Sequence, residues 1–193
     1  CIISGSRAEY GLLRNVILPL KISNLLDLQF VVTGSHLSSQ HGKTIDEIQN
    51  DSLIIDETIE IITNDDSPTG IANSVSKGII KSAKVLKKLD PDMILILGDR
   101  YEIFAVAIAA MFLNIPISHI HGGESTEALI DESIRHSLTK MSYFHFVAAE
   151  DYKKRVVQLG ENPNRVFFVG GLGIDSIKNT TFLTKKELEE RFK

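Results

Sequence analysis

Four stretches of this sequence place glycine beside ionisable or hydroxyl side chains. They are Gly5-Ser6-Arg7-Ala8-Glu9-Tyr10-Gly11, Gly34-Ser35-His36, Gly98-Asp99-Arg100 and His119-Ile120-His121-Gly122-Gly123-Glu124. Glycine lets a backbone approach a ligand closely and takes positive φ at low cost. Carboxylates sharing a cleft push their pKa values apart, which supplies both an acid and a base. Arg7, Glu9, His36, Asp99, Arg100, His121 and Glu124 would form such a rim if the four stretches met at one edge. Each stretch also has an ordinary reading. Glycine after a strand is common turn chemistry. Asp99 suits the cap of a helix starting near Arg100, and Arg100 suits the surface of its first turn. His119 lies among apolar neighbours and is expected to be buried and hydrogen-bonded; His41 and His145 are read as structural.

The richest segment follows Glu124. On a helix beginning near Asp131, the pairs Asp131/Arg135 and Glu132/His136 each stand four apart. Such pairs stabilise a helix surface without any function, and acidic residues suit a helix N-terminus. Alternatively, the loop from Gly122 to Ile130 folds Glu124 and Asp131 back toward the same rim.

These residues need a scaffold. Short apolar runs predict strands at Cys1–Ser4, Leu28–Thr33, Ile54–Ile62, Met93–Leu97, Ile115–Ile120, Phe144–Ala149 and Val166–Val169. Near-continuous apolar character suits strands covered on both faces, with Ile59–Ile62 the candidate edge. Amphipathic segments predict helices at about 9–24, 41–51, 69–89, 101–114, 131–143 and 150–160. Strands alternating with helices imply right-handed crossovers and a doubly wound parallel α/β sheet. In such a sheet ligands bind beyond the carboxyl ends of the strands, where all four glycine stretches fall. The apolar helix at 101–114 is read as core rather than interface.

Composition narrows the classes. The 193 residues suit one large domain or two small ones, and 43% hydrophobic with 24% charged residues is ordinary for a folded soluble chain. A net charge of −4 argues against a nucleic-acid-binding domain. The longest apolar run, Ile103 to Leu113, is too short to span a membrane. The single cysteine, Cys1, allows no disulfide within the chain and favours a reducing, cytoplasmic setting. No GxGxxG, Walker A, GxSxG or HExxH motif is present, so dehydrogenase, P-loop kinase and serine hydrolase readings fall away. A receiver domain would need an acidic pair near the end of the first strand and a lysine after the fifth, and neither is clear.

Taken together, Ser6-Arg7-Ala8-Glu9-Tyr10-Gly11, Gly34-Ser35-His36-Leu37, Gly98-Asp99-Arg100, His121-Gly122-Gly123-Glu124 and Asp131-Glu132-Ser133-Ile134-Arg135-His136 resemble the hydrolysing UDP-N-acetylglucosamine 2-epimerases of sialic acid biosynthesis. The resemblance runs in order over nearly the whole chain. It implies the N-terminal Rossmann-like half of a GT-B enzyme, with residues 1–170 as the domain. Residues 171–193 become a connector toward a second domain. The chain starts within a strand and stops within a helical pattern, which agrees with a piece of something longer. The resemblance implies Asp99, Glu124 and Asp131 as catalytic carboxylates and Arg7, Gly11, His36, Arg100, Arg135 and His136 as substrate-binding residues. At Gly11 some members carry a hydroxyl near the nucleotide. The implied partner is UDP-N-acetylglucosamine or a related UDP sugar, such as UDP-diacetylbacillosamine. No redox cofactor or metal is implied, and a homo-oligomer is expected. A non-hydrolysing epimerase, a GT-B glycosyltransferase and a non-catalytic nucleotide-sugar-binding module remain as alternatives.

Overall fold

The computed structural model describes residues 1–38, 44–62, 65–127 and 130–192. Seven parallel strands form one sheet: β1 (Ile2–Ser4), β2 (Phe30–Thr33), β3 (Glu57–Ile59), β4 (Ile94–Leu97), β5 (Ile117–Ile120), β6 (Phe144–Val147) and β7 (Val166–Phe168). Their order is β3-β2-β1-β4-β5-β6-β7. Every predicted apolar run contains one of these strands, and β3 lies at an edge, as Ile59–Ile62 suggested. The helices are α1 (Arg7–Lys21), α2 (Ile45–Asn50), α3 (Pro68–Leu89), α4 (Tyr101–Phe112), α5 (Ile130–Met141), α6 (Glu150–Gln158), α7 (Leu172–Asn179) and α8 (Lys185–Arg191). His41, with the start of the predicted helix at 41–51, lies outside the described residues.

Alternation along the strands builds two cores. In β1, neighbouring side chains point to opposite faces. Ile3 joins Val31, Ile94, Ile96 and Ile103, while Ile2 joins Leu13, Ile17, Phe30 and Val32. Helices α3, α4 and α5 pack side by side in one layer; α1 and α7 pack together in the other. The apolar α4 is mostly core: Ile103, Val106, Ala107 and Ala110 are fully buried, Phe104 is half-buried, and Met111 stays exposed. Gly78 permits the close approach of α3 to α4, since a Cβ there would lie 2.8 Å from that of Ala105. Helix α3 starts where Ser67 caps the Gly70 N–H at 3.1 Å ahead of Pro68, and ends at Asp90 in the left-handed region.

Beyond β7, Leu172 enters the core beside α1, and Asn15 donates to Ser176 at 3.0 Å. Helix α8 is closed by a capping box between Thr184 and Glu187 and has no buried residue. The chain direction across the sheet reverses at β1, which pairs with both β2 and β4. Open α/β sheets form their ligand crevice at such a point.

Candidate active site

The crevice between β1 and β4 is floored by carboxylates. Ser6 caps α1 by accepting the Glu9 N–H at 3.3 Å. Glu9 turns inward, 6% exposed, and accepts the Gly5 N–H at 2.6 Å. Gly34 holds φ +60°, and a Cβ there would stand 2.5 Å from the Gly5 carbonyl oxygen, so only glycine fits this corner. Arg100 lies above, donating to the fully buried Glu102 at 2.7 and 3.2 Å and standing 4.0 Å from Glu9. Burial pushes the Glu9 carboxyl up to about 7; the charge of Glu102 adds to this, and the Gly5 N–H and Arg100 oppose it.

The other residues expected on this side are placed differently from one another. Arg7 is open to solvent and pairs with Glu47 at 2.7 Å. His36 is buried, with its ring nitrogens 2.9 Å from the Ser4 hydroxyl and 2.7 Å from the Thr44 hydroxyl. Burial lowers its pKa to about 4, so the ring is neutral. Gly11 lies on the exposed side of α1, where Ser176 of α7 donates to its carbonyl at 3.4 Å. Neither His36 nor Gly11 therefore offers a side chain to the open crevice.

A second cluster forms where β4 and β5 end. Asp99 is paired with Arg135, which is 7% exposed and reaches in from α5. Arg135 also donates to the Glu124 carbonyl at 3.1 Å and the Thr126 hydroxyl at 3.0 Å. Burial is the largest influence on Asp99 and raises its pKa. Arg135 pulls the other way, and the charges of Asp131 and Glu124 add to the rise. Glu124 meets His121, whose Nδ1 lies 3.0 Å from its Oε1. Burial raises the Glu124 carboxyl too, but the hydrogen bond and charge of His121, with Arg135, outweigh it and hold the group below its ordinary range. His121 sits at φ +66°, a backbone cost typical of functional corners. Two carboxyls close enough to feel each other are thus driven in opposite directions, the arrangement needed for an acid and a base.

The packing beneath this cluster corrects two sequence expectations. Asp99 is not the cap of α4: Arg100 occupies that position and makes no capping hydrogen bond, while the Asp99 carboxylate turns to Arg135. Arg135 in turn does not pair with Asp131. Its side chain runs inward to Asp99 and lies 3.6 Å from Glu132, and only the charge of Asp131 is felt at Asp99. The pair Glu132/His136 does form, at 3.1 Å, and Glu132 also accepts from the Thr126 N–H and the Ser125 hydroxyl. His119 is fully buried beneath the site and lies 2.7 Å from the Gly98 carbonyl, as expected; His145 is buried against Glu161 at 3.2 Å. Glu102, Thr126 and Arg155, which touch these groups, stood outside the sequence-derived set. Glu102 closes two residues after Arg100, a spacing that fits a helix start, but nothing in the sequence announces that α6 brings Arg155 to Gly123.

A seven-stranded parallel sheet that reverses at β1, with ionisable side chains gathered at its carboxyl edge, is a Rossmann-like domain of the GT-B type. The chain belongs to the UDP-N-acetylglucosamine 2-epimerase family, whose model matches residues 19–193. It is 44% identical over 98% of its length to the GDP/UDP-N,N'-diacetylbacillosamine 2-epimerase (hydrolyzing) of Campylobacter jejuni, covering 49% of that protein. It is also 44% identical to the polysialic acid biosynthesis protein P7 of Escherichia coli, again over 98% of this chain and 49% of the other. Among solved structures, UDP-GlcNAc 2-epimerase from Neisseria meningitidis bound to UDP-GlcNAc superposes with a TM-score of 0.81 at 26% identity, over 99% of this chain and 53% of that one. The chain thus spans about half the length of the relatives it matches.

Proposed function

We propose that this chain is the N-terminal half of a hydrolysing 2-epimerase that converts UDP-N-acetylglucosamine and water to N-acetylmannosamine and UDP. The observation carrying this reading is the cluster in which Arg135 joins the Asp99 carboxylate to the Glu124 carbonyl, with the charges of Glu124 and Asp131 felt at Asp99, at the carboxyl ends of β4 and β5. The domain of this reading is residues 1–170, with 171–193 leading to a second wall of the cleft.

The C2 proton of the sugar is not acidic by itself. Departure of UDP, with the electrons of the C1–O bond, builds oxocarbenium character at C1 and makes C2–H removable. A carboxylate takes that proton and a glycal forms. Water then adds at C1, and a proton is delivered to the opposite face of C2. The site must supply a base, an acid, charge stabilisation near C1 and cations for the diphosphate. Glu124, whose carboxyl is held below its ordinary range by His121, is assigned the base of the elimination; Asp99, whose carboxyl is raised by burial, is assigned the acid. Asp131 is assigned charge stabilisation. Arg7 is assigned to the diphosphate, because its exposed pair with Glu47 contributes little and is readily exchanged. Arg100 faces the same crevice, with part of its hydrogen bonding committed to Glu102. Arg135 and His136 are assigned to shaping the pocket, and His36 and Gly11 to supporting the loops around the nucleotide.

A second reading is supported by the 44% and 37% identities to diacetylbacillosamine 2-epimerases, against 28% to a UDP-N-acetylglucosamine 2-epimerase of Neisseria meningitidis. In this reading the mechanism is unchanged and the sugar carries a second acetamido group. NMR of the complete protein in deuterated water, with each UDP sugar in turn, tests both. Free UDP and a 2-epimerised sugar deuterated at C2 are expected. Epimerised sugar still attached to UDP would overturn hydrolysis, and an unlabelled product would overturn proton abstraction at C2.

A further inference from the structure

We propose that Arg155 is a positioning residue that fixes the reach of Glu124, an inference resting on the role assigned to Glu124 above. Arg155 belongs to α6, far along the chain from the loop it serves. Its Nη1 donates to the carbonyl oxygen of Gly123. Its guanidinium also lies 5.9 Å from the centre of the Tyr152 ring in its own helix, which limits its swing. Gly123 holds φ +79°, and a Cβ there would collide with the Tyr152 carbonyl oxygen and stand 2.8 Å from the Val156 side chain. Tyr152, Arg155 and Val156 thus present one helix face to the loop, at the spacing that puts side chains on a common side.

The next carbonyl along the loop, that of Glu124, accepts from Arg135 of α5 at 3.1 Å. Two arginines on two helices therefore hold consecutive carbonyl groups. The two peptide planes on either side of the Glu124 Cα are thus each held, which fixes the point and direction from which its side chain reaches His121 at 3.0 Å. The site's geometry is transmitted from α5 and α6 rather than from the loop's own sequence. Arg155 meets the loop through the Gly123 carbonyl, so its effect on Glu124 runs through loop placement.

Arg155→Met keeps a long apolar stem and removes the donors; Arg155→Lys keeps a donor. In the complete protein, Arg155→Met is expected to lower kcat for UDP release about ten- to a hundredfold, the scale of a misplacement near 1 Å. KM and the unfolding midpoint should stay near those of the parent, and Arg155→Lys should recover part of kcat. Hydrogen exchange of the amides at 121–126, measured without substrate, should quicken in Arg155→Met and remain unchanged in β6. Unchanged kcat in Arg155→Met overturns the proposal, as does equal loss of kcat in both variants with unchanged exchange. A parent protein that releases no UDP overturns the reading of Glu124 and this catalytic role together. Faster exchange alone would then show that Arg155 holds the loop without serving that reaction.

Discussion

Replacing Glu9 by glutamine tests whether the crevice floor is as dry as its packing indicates. The side chain lies against Gly5 and Glu102 beneath Arg100, and Gln keeps both its shape and the acceptor for the Gly5 N–H. In the folded chain the carboxyl titrates near 7, against an ordinary 4.5. The sign follows from proton binding. Below the ordinary value both states are protonated and the wild type has its full stability. Between that value and about 7 the unfolded chain loses the proton while the folded one keeps it, so stability falls as pH rises. At about 1.4 kcal/mol per pKa unit, the gap is worth about 3 kcal/mol. Glu9→Gln does not titrate there. Its stability relative to wild type should therefore climb by about 3 kcal/mol from pH 4.5 to 7 and level off above. Urea unfolding of both chains at half-unit pH steps measures the difference, and common effects of pH cancel. Parallel curves from pH 4.5 to 8 would show that Glu9 is hydrated or fully compensated by Arg100, and the reasoning would fail.

Other expectations follow from the same geometry. Arg135→Met leaves the half-buried Asp99 without its partner and should cost about 1–3 kcal/mol, read by chemical denaturation; the double variant Arg135→Met with Asp99→Asn should recover part of that loss. Gly34→Ala meets both positive φ and the Gly5 carbonyl, so a loss of about 2 kcal/mol or more is expected in the unfolding midpoint. Burial holds His36 and His119 near 4, below their ordinary 6.5. The unfolded chain therefore binds protons first on acidification, and stability that is intact above 6.5 should fall toward pH 4, a slope that His119→Gln should flatten in urea titrations. The isolated chain should release little or no UDP from either UDP sugar; turnover equal to that of the complete protein would refute the need for a second domain.

Periodicity was enough for the scaffold. The run Ile94–Leu97 is apolar on both faces, and amphipathic segments separate it from its neighbours, so a parallel sheet covered on both sides is the arrangement that buries it. Even the edge position of β3 showed as a weaker pattern near Ile59. The glycine stretches were legible for a related reason: strand ends in such a sheet share one edge, so Gly5, Gly34, Gly98 and Gly122 had to meet there once the strands were recognised. Arg135 was legible as a residue near the site but not in its partner. Local spacing pairs it with Asp131, and only the depth of its side chain, beside the carboxyl end of β4, decides for Asp99.

The sequence by itself thus determined the sheet, the edge at which its polar residues collect and the family of motifs they form, because these depend on local periodicity and strand polarity. Tertiary structure decided which charges meet across elements. It buried His36 on Ser4, set Glu102 beneath Arg100, turned Asp99 from capping to Arg135, and brought Arg155 of α6 to Gly123. The physical reason is that hydrogen bonds and desolvation act over a few ångströms, between groups that strand order and helix packing make neighbours, whatever their distance along the chain.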